Sequence, residues 1–451
     1  MKLLIIFFNL FLNLAVFAAD CKPLKNSHLF TKDVTESSDR ITDLPGFGCV
    51  IDIELAGLLP IGNAYSTKAA KLFYWFVESR SHHATAPIVL WLNGGPGAAS
   101  TYGFFMENGP YRVTDKGTLI KRQASWSDKA NYLIIDQPAG VGLSSGKRGT
   151  FSDESEAMDQ LYQALLTFYK RYPELKSRPL YLSGESYAGK YLPQLAMRIL
   201  SGNPKDTINL QGLLIGDGWV NPKLQQSSDA EFAYSHGLID KITYRKVTAL
   251  YQQCAKEIDK QTPSSRRANT ICNNIQLLIK KQSGGLNLAN LHTGEEPNDS
   301  FMINYLNQSD VRKALHLSPN TPLFKTFSSM VSDVLEIGEQ DSMADLYPAL
   351  LQKNIRILIY NGLDDAKDSN FIGTDKWLAA MTWPHQKAFA NAPTCVWRLN
   401  NKVVGYAKTS SGLTQIKIRH TGHLAPADQP EVLINLLNKF ITNQLFCEIP
   451  K

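Results

Sequence analysis

One stretch, LYLSGESYAG at residues 180–189, constrains this chain most, because it joins an apolar run to a helical pattern through a single serine. Leu180-Tyr181-Leu182 predicts a short buried strand, and apolar residues recur at helical spacing from Tyr187 to Leu200. Small residues surround Ser186, as a sharp and crowded turn requires: Gly184, Ala188 and Gly189. The pattern predicts a nucleophilic serine on a strand-to-helix turn, and an ordinary glycine-rich turn is the alternative.

Further apolar runs are rich in valine, isoleucine and leucine, and most end in glycine or polar residues. They are residues 72–77, 87–92, 132–135, 180–182, 210–215 and 355–360. Runs with so little polar alternation are typical of strands buried on both faces of a parallel sheet. Helical patterns lie between them, such as Glu154 to Tyr172, and a last helix is predicted from Asp428 to Phe446. The chain is therefore expected to be an α/β protein, with a mostly parallel central sheet flanked by helices.

Residues 225–345 differ from the rest, because they are more polar and contain no buried-strand run. They predict a largely helical insertion, or cap, that divides the core into residues 19–224 and 346–451. The first 18 residues hold one lysine and then an apolar run ending in Val16-Phe17-Ala18, which predicts a cleaved signal peptide. The protein is therefore expected in the secretory pathway, either in a lysosome- or vacuole-like compartment or secreted.

The charge pattern argues against several classes of function. The formal net charge of +6 is mild for 451 residues, and no dense block of lysine and arginine occurs, so we expect no nucleic-acid partner. No stretch after the signal peptide is apolar over the length of a membrane span. No cysteine or histidine spacing is typical of a metal site, so we expect no metal and no cofactor.

Export also bears on the six cysteines, which allow up to three disulfides. Cys254 and Cys272 are expected to pair, because both lie in the same polar segment. Asn298 and Asn307 begin acceptor sequences for N-glycosylation. Residues 264–267, Ser-Ser-Arg-Arg, are either a processing site that yields two disulfide-linked chains or an uncut exposed loop.

A serine nucleophile needs a histidine base that a carboxylate orients. His423 lies in a loop before the last predicted helix, and His420 is its nearest rival. The carboxylate should follow a late strand, where Asp364 and Asp365 both stand after residues 355–360. An oxyanion site needs backbone N–H groups, which we expect from Tyr187 and from the glycine-rich loop of residues 93–97.

Six ordered segments together resemble the serine carboxypeptidase family of the α/β-hydrolase fold, from about residue 45 to the C-terminus. They are WLNGGPG (91–97), MENGP (106–110), WSDKANYLIIDQPAGVG (126–142), GESYAGKYLP (184–193), IYNGLDD (359–365) and HLAPADQP (423–430). The resemblance implies Ser186 as nucleophile, His423 as base and Asp365 as its orienting acid, with Asp364 in reserve. It also implies that the N–H groups of Gly95 and Tyr187 form the oxyanion hole.

The same resemblance assigns the binding of a substrate's terminal carboxylate to four residues: Asn93, Gly94, Glu107 and Glu185. It implies a peptidase that releases single residues from the C-terminus of peptides and proteins through an acyl-enzyme. Two carboxyls that share one proton have a raised pKa, so acidic pH should favour peptide substrates. The alternatives are an acyltransferase on the same scaffold and a non-catalytic binding or stabilising partner. The sequence leaves open whether the chain is a monomer or a homodimer.

Overall fold

The computed structural model describes residues 38–62, 68–80, 85–202 and 208–447. The predicted signal peptide lies outside these residues, as do Cys21 and the last four residues of the chain. None of the described helices is both long enough and apolar enough to cross a membrane.

A ten-stranded sheet runs through the middle of the described structure. Its strands, numbered in chain order, are β3 (Glu54–Ile61), β4 (Ala70–Val77), β5 (Ile88–Leu92), β8 (Asn131–Ile135), β9 (Leu180–Glu185), β10 (Leu210–Gly216), β11 (Arg356–Gly362), β12 (Cys395–Leu399), β13 (Lys402–Ser410) and β14 (Leu413–Ile418). Two short hairpins lie beside it, β1 (Asp43–Leu44) with β2 (Gly48–Cys49) and β6 (Tyr111–Val113) with β7 (Leu119–Lys121).

The order across the sheet is β12-β13-β14-β11-β10-β9-β5-β8-β4-β3. The six strands from β14 to β8 pair in parallel, which confirms the predicted mostly parallel sheet. Both edges are antiparallel, since β12 and β13 fold back on β14, and β3 and β4 form a second antiparallel edge beside β8. The sequence did not reveal β12 and β13, because exposed and buried residues are mixed along them.

Fifteen α-helices connect and cover these strands within the described ranges. They are α1 (Ser100–Met106), α2 (Glu154–Arg171), α3 (Ala188–Ser201), α4 (Pro222–Gln226), α5 (Asp229–Ser235), α6 (Lys241–Ile258), α7 (Arg266–Gln282), α8 (Ser300–Leu306), α9 (Ser309–Ala314), α10 (Ser329–Leu335), α11 (Leu346–Gln352), α12 (Phe371–Ala380), α13 (Gln386–Asn391), α14 (Ala425–Asp428) and α15 (Pro430–Ile441).

The last predicted helix, Asp428 to Phe446, is wrong at both ends. The chain forms two helices, α14 and α15, with Gln429 between them in a non-helical conformation. Pro430 explains the break, because a proline has no N–H to donate and its ring excludes the helical conformation from the residue before it. Helix α15 then ends at Ile441, and its buried side packs against the sheet core through Leu433, Leu436, Leu437 and Phe440.

The segment predicted as a helical insertion contains α5 to α10 and no strand among its described residues. Its two halves pack differently. Helices α5 to α7 have an apolar cluster of their own, which includes Phe232, Val247 and Ile275. Helices α8 to α10 instead join the main core, through residues such as Met302 and Leu335. The insertion is therefore a small subdomain followed by helices that belong to the sheet core.

A disulfide links Cys254 in α6 to Cys272 in α7, as expected. A second joins Cys395 to Cys447 across the edge of the sheet. Residues 264–267 lie at the start of α7, and only part of the stretch is exposed: Arg266 and Arg267 are exposed, and Ser265 is half-buried. Ser264 is fully buried, and Ser265 caps α7 by accepting a hydrogen bond from Ala268 N. A protease at these residues would first have to unwind the start of α7.

Candidate active site

Ser186 lies between β9 and α3, at the carboxyl edge of the parallel strands. Its φ of 59° is in the left-handed region, which is strained for a residue with a side chain. Two backbone hydrogen bonds hold this conformation: Ser186 N donates to Gly216 O at 3.0 Å, and Trp219 N donates to Ser186 O at 2.8 Å. The turn after β10 therefore holds Ser186 in this backbone conformation.

The small residues around Ser186 are required by close backbone contacts. A Cβ atom on Gly184 would lie 2.2 Å from Leu92 O, and one on Gly189 would lie 2.8 Å from Trp219 O. Both distances are shorter than a carbon and an oxygen can tolerate without a shift of the backbone. The strand-to-helix turn predicted from residues 180–189 thus has the tight geometry that its glycines indicated.

Two backbone N–H groups near this turn have no acceptor in the described part of the chain. Neither Gly95 N nor Tyr187 N donates a hydrogen bond to any acceptor in the described part of the chain. A Cβ atom on Gly94 would lie only 2.4 Å from Tyr187 N, so the glycine-rich loop approaches the serine turn closely. Gly95 has a φ of 111°, which only glycine adopts readily. This arrangement suits an oxyanion hole, because both donors are available and fixed.

His423 meets one of the two candidate aspartates. Its Nδ1 atom and Asp365 Oδ2 are 2.9 Å apart, and both side chains are buried. Asp364 makes backbone hydrogen bonds to neighbouring loops, and its peptide N–H donates to Thr421 O. His420, the rival base, is exposed on a turn with a φ of 57°. The geometry therefore selects His423 and Asp365 from the alternatives.

The Ser186 hydroxyl makes no hydrogen bond to His423 among the described contacts, although both residues follow strands of the parallel part of the sheet, β9 and β14. Hydrogen bonds between a nucleophile and its base are often long without substrate and tighten when it binds. In the structure, His423 thus contacts Asp365 but makes no hydrogen bond to the Ser186 hydroxyl.

A segment of the insertion ties the loops that carry His423 and Asp365 together. Residues 288–291 make three backbone hydrogen bonds: His423 N donates to Ala289 O at 2.6 Å, Ala366 N to Leu288 O at 2.8 Å, and Leu291 N to Asp364 O at 2.9 Å. We call residues 288–291 the strap. Gly422 must be glycine here, since its Cβ would lie 2.3 Å from Ala289 O.

Asn93, Glu107 and Glu185 form a buried cluster beside the serine. Asn93 Nδ2 donates to Glu107 Oε1 at 2.9 Å and to Glu185 Oε1 at 3.1 Å. Trp91 Nε1 and Gly103 N both donate to Asn93 Oδ1, so the amide can face the two glutamates only with its NH₂ group. The other carboxyl oxygens, Glu107 Oε2 and Glu185 Oε2, are buried and accept no hydrogen bond from a described donor.

The two glutamates, which we call the glutamate pair, are hydrogen-bonding neighbours, and burial makes their ionisation costly. Burial raises the pKa of Glu107 to about 7. Burial raises the pKa of Glu185 well above its ordinary value, and the adjacent Glu107 raises it further. The pair therefore holds at least one proton in acidic solution, and that proton can be donated to an anion.

A cleft of about 610 Å³ opens next to His423. Residues of the core and of the insertion line it, among them Tyr102, Asn290, Glu295, Lys367 and Asp428. The predicted glycosylation site Asn298 is exposed and also lines this cleft. At Asn307, the other predicted site, both polar atoms of the side-chain amide are hydrogen-bonded. Its Nδ2 donates to Phe324 O, and its Oδ1 accepts from Phe324 N. No group of side chains suited to hold a metal ion occurs within the described ranges.

Three contributors to this site were not singled out from the sequence. Trp91 orients Asn93, Asp217 contacts the carboxyl of Asp365, and the strap ties two loops together. Asp217 had a detectable signal, because it directly follows a buried strand that lies between those of Ser186 and Asp365. The strap had none, since its contacts are made by backbone atoms.

Known proteins resemble this chain in sequence and in fold. The family model for serine carboxypeptidases matches residues 54–443. The venom serine carboxypeptidase of Apis mellifera is 35% identical over 404 residues, which cover 87% of this chain and 85% of the relative. Serine carboxypeptidase S10 family member 1 of Dictyostelium discoideum is 33% identical, over 84% of this chain and 93% of the relative.

A solved structure gives the same result for the fold. The prohormone-processing carboxypeptidase Kex1 of Saccharomyces cerevisiae superimposes with a TM-score of 0.80 at 26% identity, over 88% of this chain and 93% of that one. With the family match and the two relatives, this likeness confirms the α/β-hydrolase fold expected from the sequence. The chain belongs to the serine carboxypeptidase family.

Proposed function

We propose that this serine carboxypeptidase removes C-terminal residues from peptides in an acidic compartment, with Ser186, His423 and Asp365 as its catalytic triad. The observation that carries the proposal is the buried Asn93 amide, which donates to both members of the glutamate pair directly beside Ser186. A peptidase that acts at chain ends needs a site for the terminal carboxylate next to its nucleophile. The pair and Asn93 supply such a site.

In the first half of the reaction, Ser186 Oγ attacks the last peptide carbonyl while His423 takes the hydroxyl proton. Asp365 holds the imidazole through its 2.9 Å contact to Nδ1 and stabilises the positive charge that develops. The N–H groups of Gly95 and Tyr187 bind the oxyanion. When the intermediate collapses, His423 returns the proton to the leaving amine, and the terminal amino acid departs.

In the second half, His423 removes a proton from water, which attacks the acyl-enzyme and releases the shortened peptide. No cofactor is required for either half, because the nucleophile, base and oxyanion donors are all groups of this chain.

Recognition of the terminal carboxylate explains the acidic preference. A protonated carboxyl of the glutamate pair donates a hydrogen bond to the substrate's carboxylate, whereas an ionised pair repels it. Because burial raises the pKa of Glu107 to about 7, the pair loses a proton as the solution approaches neutrality and becomes a poorer partner for an anion. Such a site suits a lysosome- or vacuole-like compartment, or secretion into an acidic fluid.

Two measurements test the proposal. A fluorophosphonate should label the wild-type protein and not Ser186→Ala, because only an activated serine reacts. At acidic pH, a peptide with a free C-terminus should lose single residues, and the same peptide with an amidated C-terminus should be cleaved far more slowly. Equal cleavage of both peptides would contradict the assignment of Asn93 and the glutamate pair. Transfer of the acyl group to an added alcohol in preference to water would favour an acyltransferase.

A further inference from the structure

Asp217 is a buried acid that the proposed mechanism does not use. It lies in the turn after β10, the same turn whose Gly216 and Trp219 make backbone hydrogen bonds to Ser186. Its φ is 43°, a region that aspartate and asparagine enter more easily than other residues with side chains. Its N–H donates to Tyr360 O at 2.8 Å. The turn thus connects the strand of the nucleophile to the strand of the catalytic acid.

The Asp217 carboxyl is fully buried, and its two oxygens have different surroundings. Oδ1 accepts hydrogen bonds from Gly362 N at 2.9 Å and from Asn361 Nδ2 at 3.4 Å. Oδ2 accepts no hydrogen bond from any described donor. The carboxyl of Asp365 lies beside that of Asp217 and is itself an acceptor when ionised. A proton held between the two carboxyls would satisfy this buried oxygen.

The donors around Asp365 indicate which carboxyl keeps the proton. Asp365 accepts from Lys367 N at 2.9 Å, from Ser369 Oγ at 3.4 Å and from His423 Nδ1 at 2.9 Å. Three donors stabilise a carboxylate, so Asp365 is the ionised member. Burial raises the pKa of Asp217 well above its ordinary value, and the adjacent Asp365 raises it further. The proton therefore belongs to Asp217.

Other ionisable groups face the two aspartates, which we call the aspartate pair. Glu185 at the end of β9 and Tyr360 in β11 interact with Asp217. Asp229 of α5 and Asp368 after β11 interact with Asp365, and Asp368 also feels the positive charges of Lys367 and His423. Acidic groups predominate, so a second negative charge on the aspartate pair would be costly in this environment.

We propose that Asp217 is a positioning residue, which keeps a proton on Oδ2 and donates it in a hydrogen bond to Asp365. This bond fixes the triad carboxylate against His423 and withdraws part of its negative charge. An imidazole that faces a weaker negative charge can act as a base over a wider acidic range. Asp217 thereby extends catalysis toward low pH. The inference rests on the proposed function, because its effect is exerted through the triad.

The test compares Asp217→Asn with Asp217→Ala. Asparagine keeps the shape and can donate from Nδ2 to Asp365, whereas alanine removes the donor. Turnover is followed against pH with a peptide ester that has no terminal carboxylate, so that the glutamate pair does not contribute. Rates are normalised to the protein that a fluorophosphonate labels, which removes any loss through misfolding.

For Asp217→Ala, we expect the acid limb of kcat/KM to move upward by about one to two pH units, because the variant loses a hydrogen bond to a charged group. For Asp217→Asn, the limb should not move upward. A uniform loss of rate in Asp217→Ala, with the acid limb in its wild-type position, would overturn the inference and leave Asp217 a structural residue.

An infrared difference spectrum gives a second reading that needs no turnover. At acidic pH, the wild-type protein should show one more protonated-carboxyl band than Asp217→Asn. Identical carboxyl absorption in the two proteins would also overturn the inference. A wild-type protein that neither hydrolyses the ester nor reacts with the fluorophosphonate would refute the proposed function instead, and the infrared comparison would still test the proton on Asp217.

Discussion

The glutamate pair and the aspartate pair flank the same serine and place like groups in unlike surroundings. In each pair two buried carboxyls lie beside each other, and at least one buried carboxyl oxygen accepts no hydrogen bond from a described donor. The glutamate pair has one side-chain donor in common, Asn93, and lies beside the nucleophile. In the aspartate pair, one member accepts three hydrogen bonds, including one from His423.

The difference shows that surroundings, and not residue type, decide what a shared proton does. Where one amide serves both acids, the pair keeps a proton that a bound anion can accept. Where the donors converge on one acid, that acid stays ionised and its partner keeps the proton. If this view is correct, changes in the two pairs should have separable effects on rate, substrate choice and pH dependence.

The largest expected effect is that of Asp365→Asn. The amide can present an N–H to His423 Nδ1 and so favour the wrong tautomer, which is expected to lower kcat by about 10⁴-fold. The kcat for peptide and for ester substrates should fall by the same factor, because the aspartate pair acts on His423 and not on the C-terminal end of the substrate. Steady-state kinetics on both substrates would check this, with the melting temperature as a control for folding. A much smaller loss for the ester would show that the aspartate pair also contributes to recognition of the substrate's terminal carboxylate.

Asn93→Ala should come next. It removes the donor to both glutamates and leaves buried acceptors unpaired, at a cost typical of hydrogen bonds to charged groups. We expect kcat/KM for a free-carboxylate peptide to fall about 10- to 100-fold, with a smaller loss for the ester. The ratio of the two substrates is the measurement, and it needs no correction for enzyme concentration. An unchanged ratio would remove Asn93 from carboxylate binding.

Glu107→Gln tests the pH dependence of the glutamate pair. Because burial raises the pKa of Glu107 to about 7, the wild-type carboxyl is protonated below that pH and ionises above it. One pH unit above its pKa only about a tenth of a carboxyl is protonated, so peptide turnover should fall about tenfold there. Glutamine stays neutral, and its profile should be flatter on the alkaline side. Equal profiles for variant and wild type would assign the pH dependence to another group.

Glu54 provides a single buried acid for comparison with the pairs. It lies at the start of edge strand β3 and accepts hydrogen bonds from Trp75 Nε1 and Tyr111 Oη. Burial raises its pKa to about 7. A raised pKa in the folded state means that stability is greatest below the ordinary pKa of glutamate and is lost as pH rises toward about 7.

For each such group, the free energy of unfolding should fall by about 1.4 kcal/mol per pH unit across that window. In urea titrations at several pH values, Glu54→Gln should therefore show a shallower decline than the wild type, whatever its stability at any one pH. Activity toward peptide and ester should keep its wild-type ratio, since Glu54 belongs to neither pair. A decline as steep as in the wild type would show that Glu54 is ionised throughout.

The sequence predicted much of this site because its motifs are local. Residues 180–189 specified a strand, a tight turn and a helix, and the order of the apolar runs specified a parallel sheet. Asp364 and Asp365 were not distinguishable, because adjacent residues on a turn point in different directions and only three-dimensional placement decides between them. Asp217 is not singled out by the sequence, since its importance depends on a neighbour 148 positions away that only the strand order brings close.

The strap has a consequence for attempts to change what this enzyme cleaves. One way to change the substrate of such an enzyme is to replace its cap, on the assumption that the cap selects the substrate and does not affect the reaction. Here the peptide N–H of His423, the proposed base, donates a hydrogen bond to Ala289 O of the inserted segment. A transplanted cap would therefore bring its own support for the base, and rate and selectivity would change together.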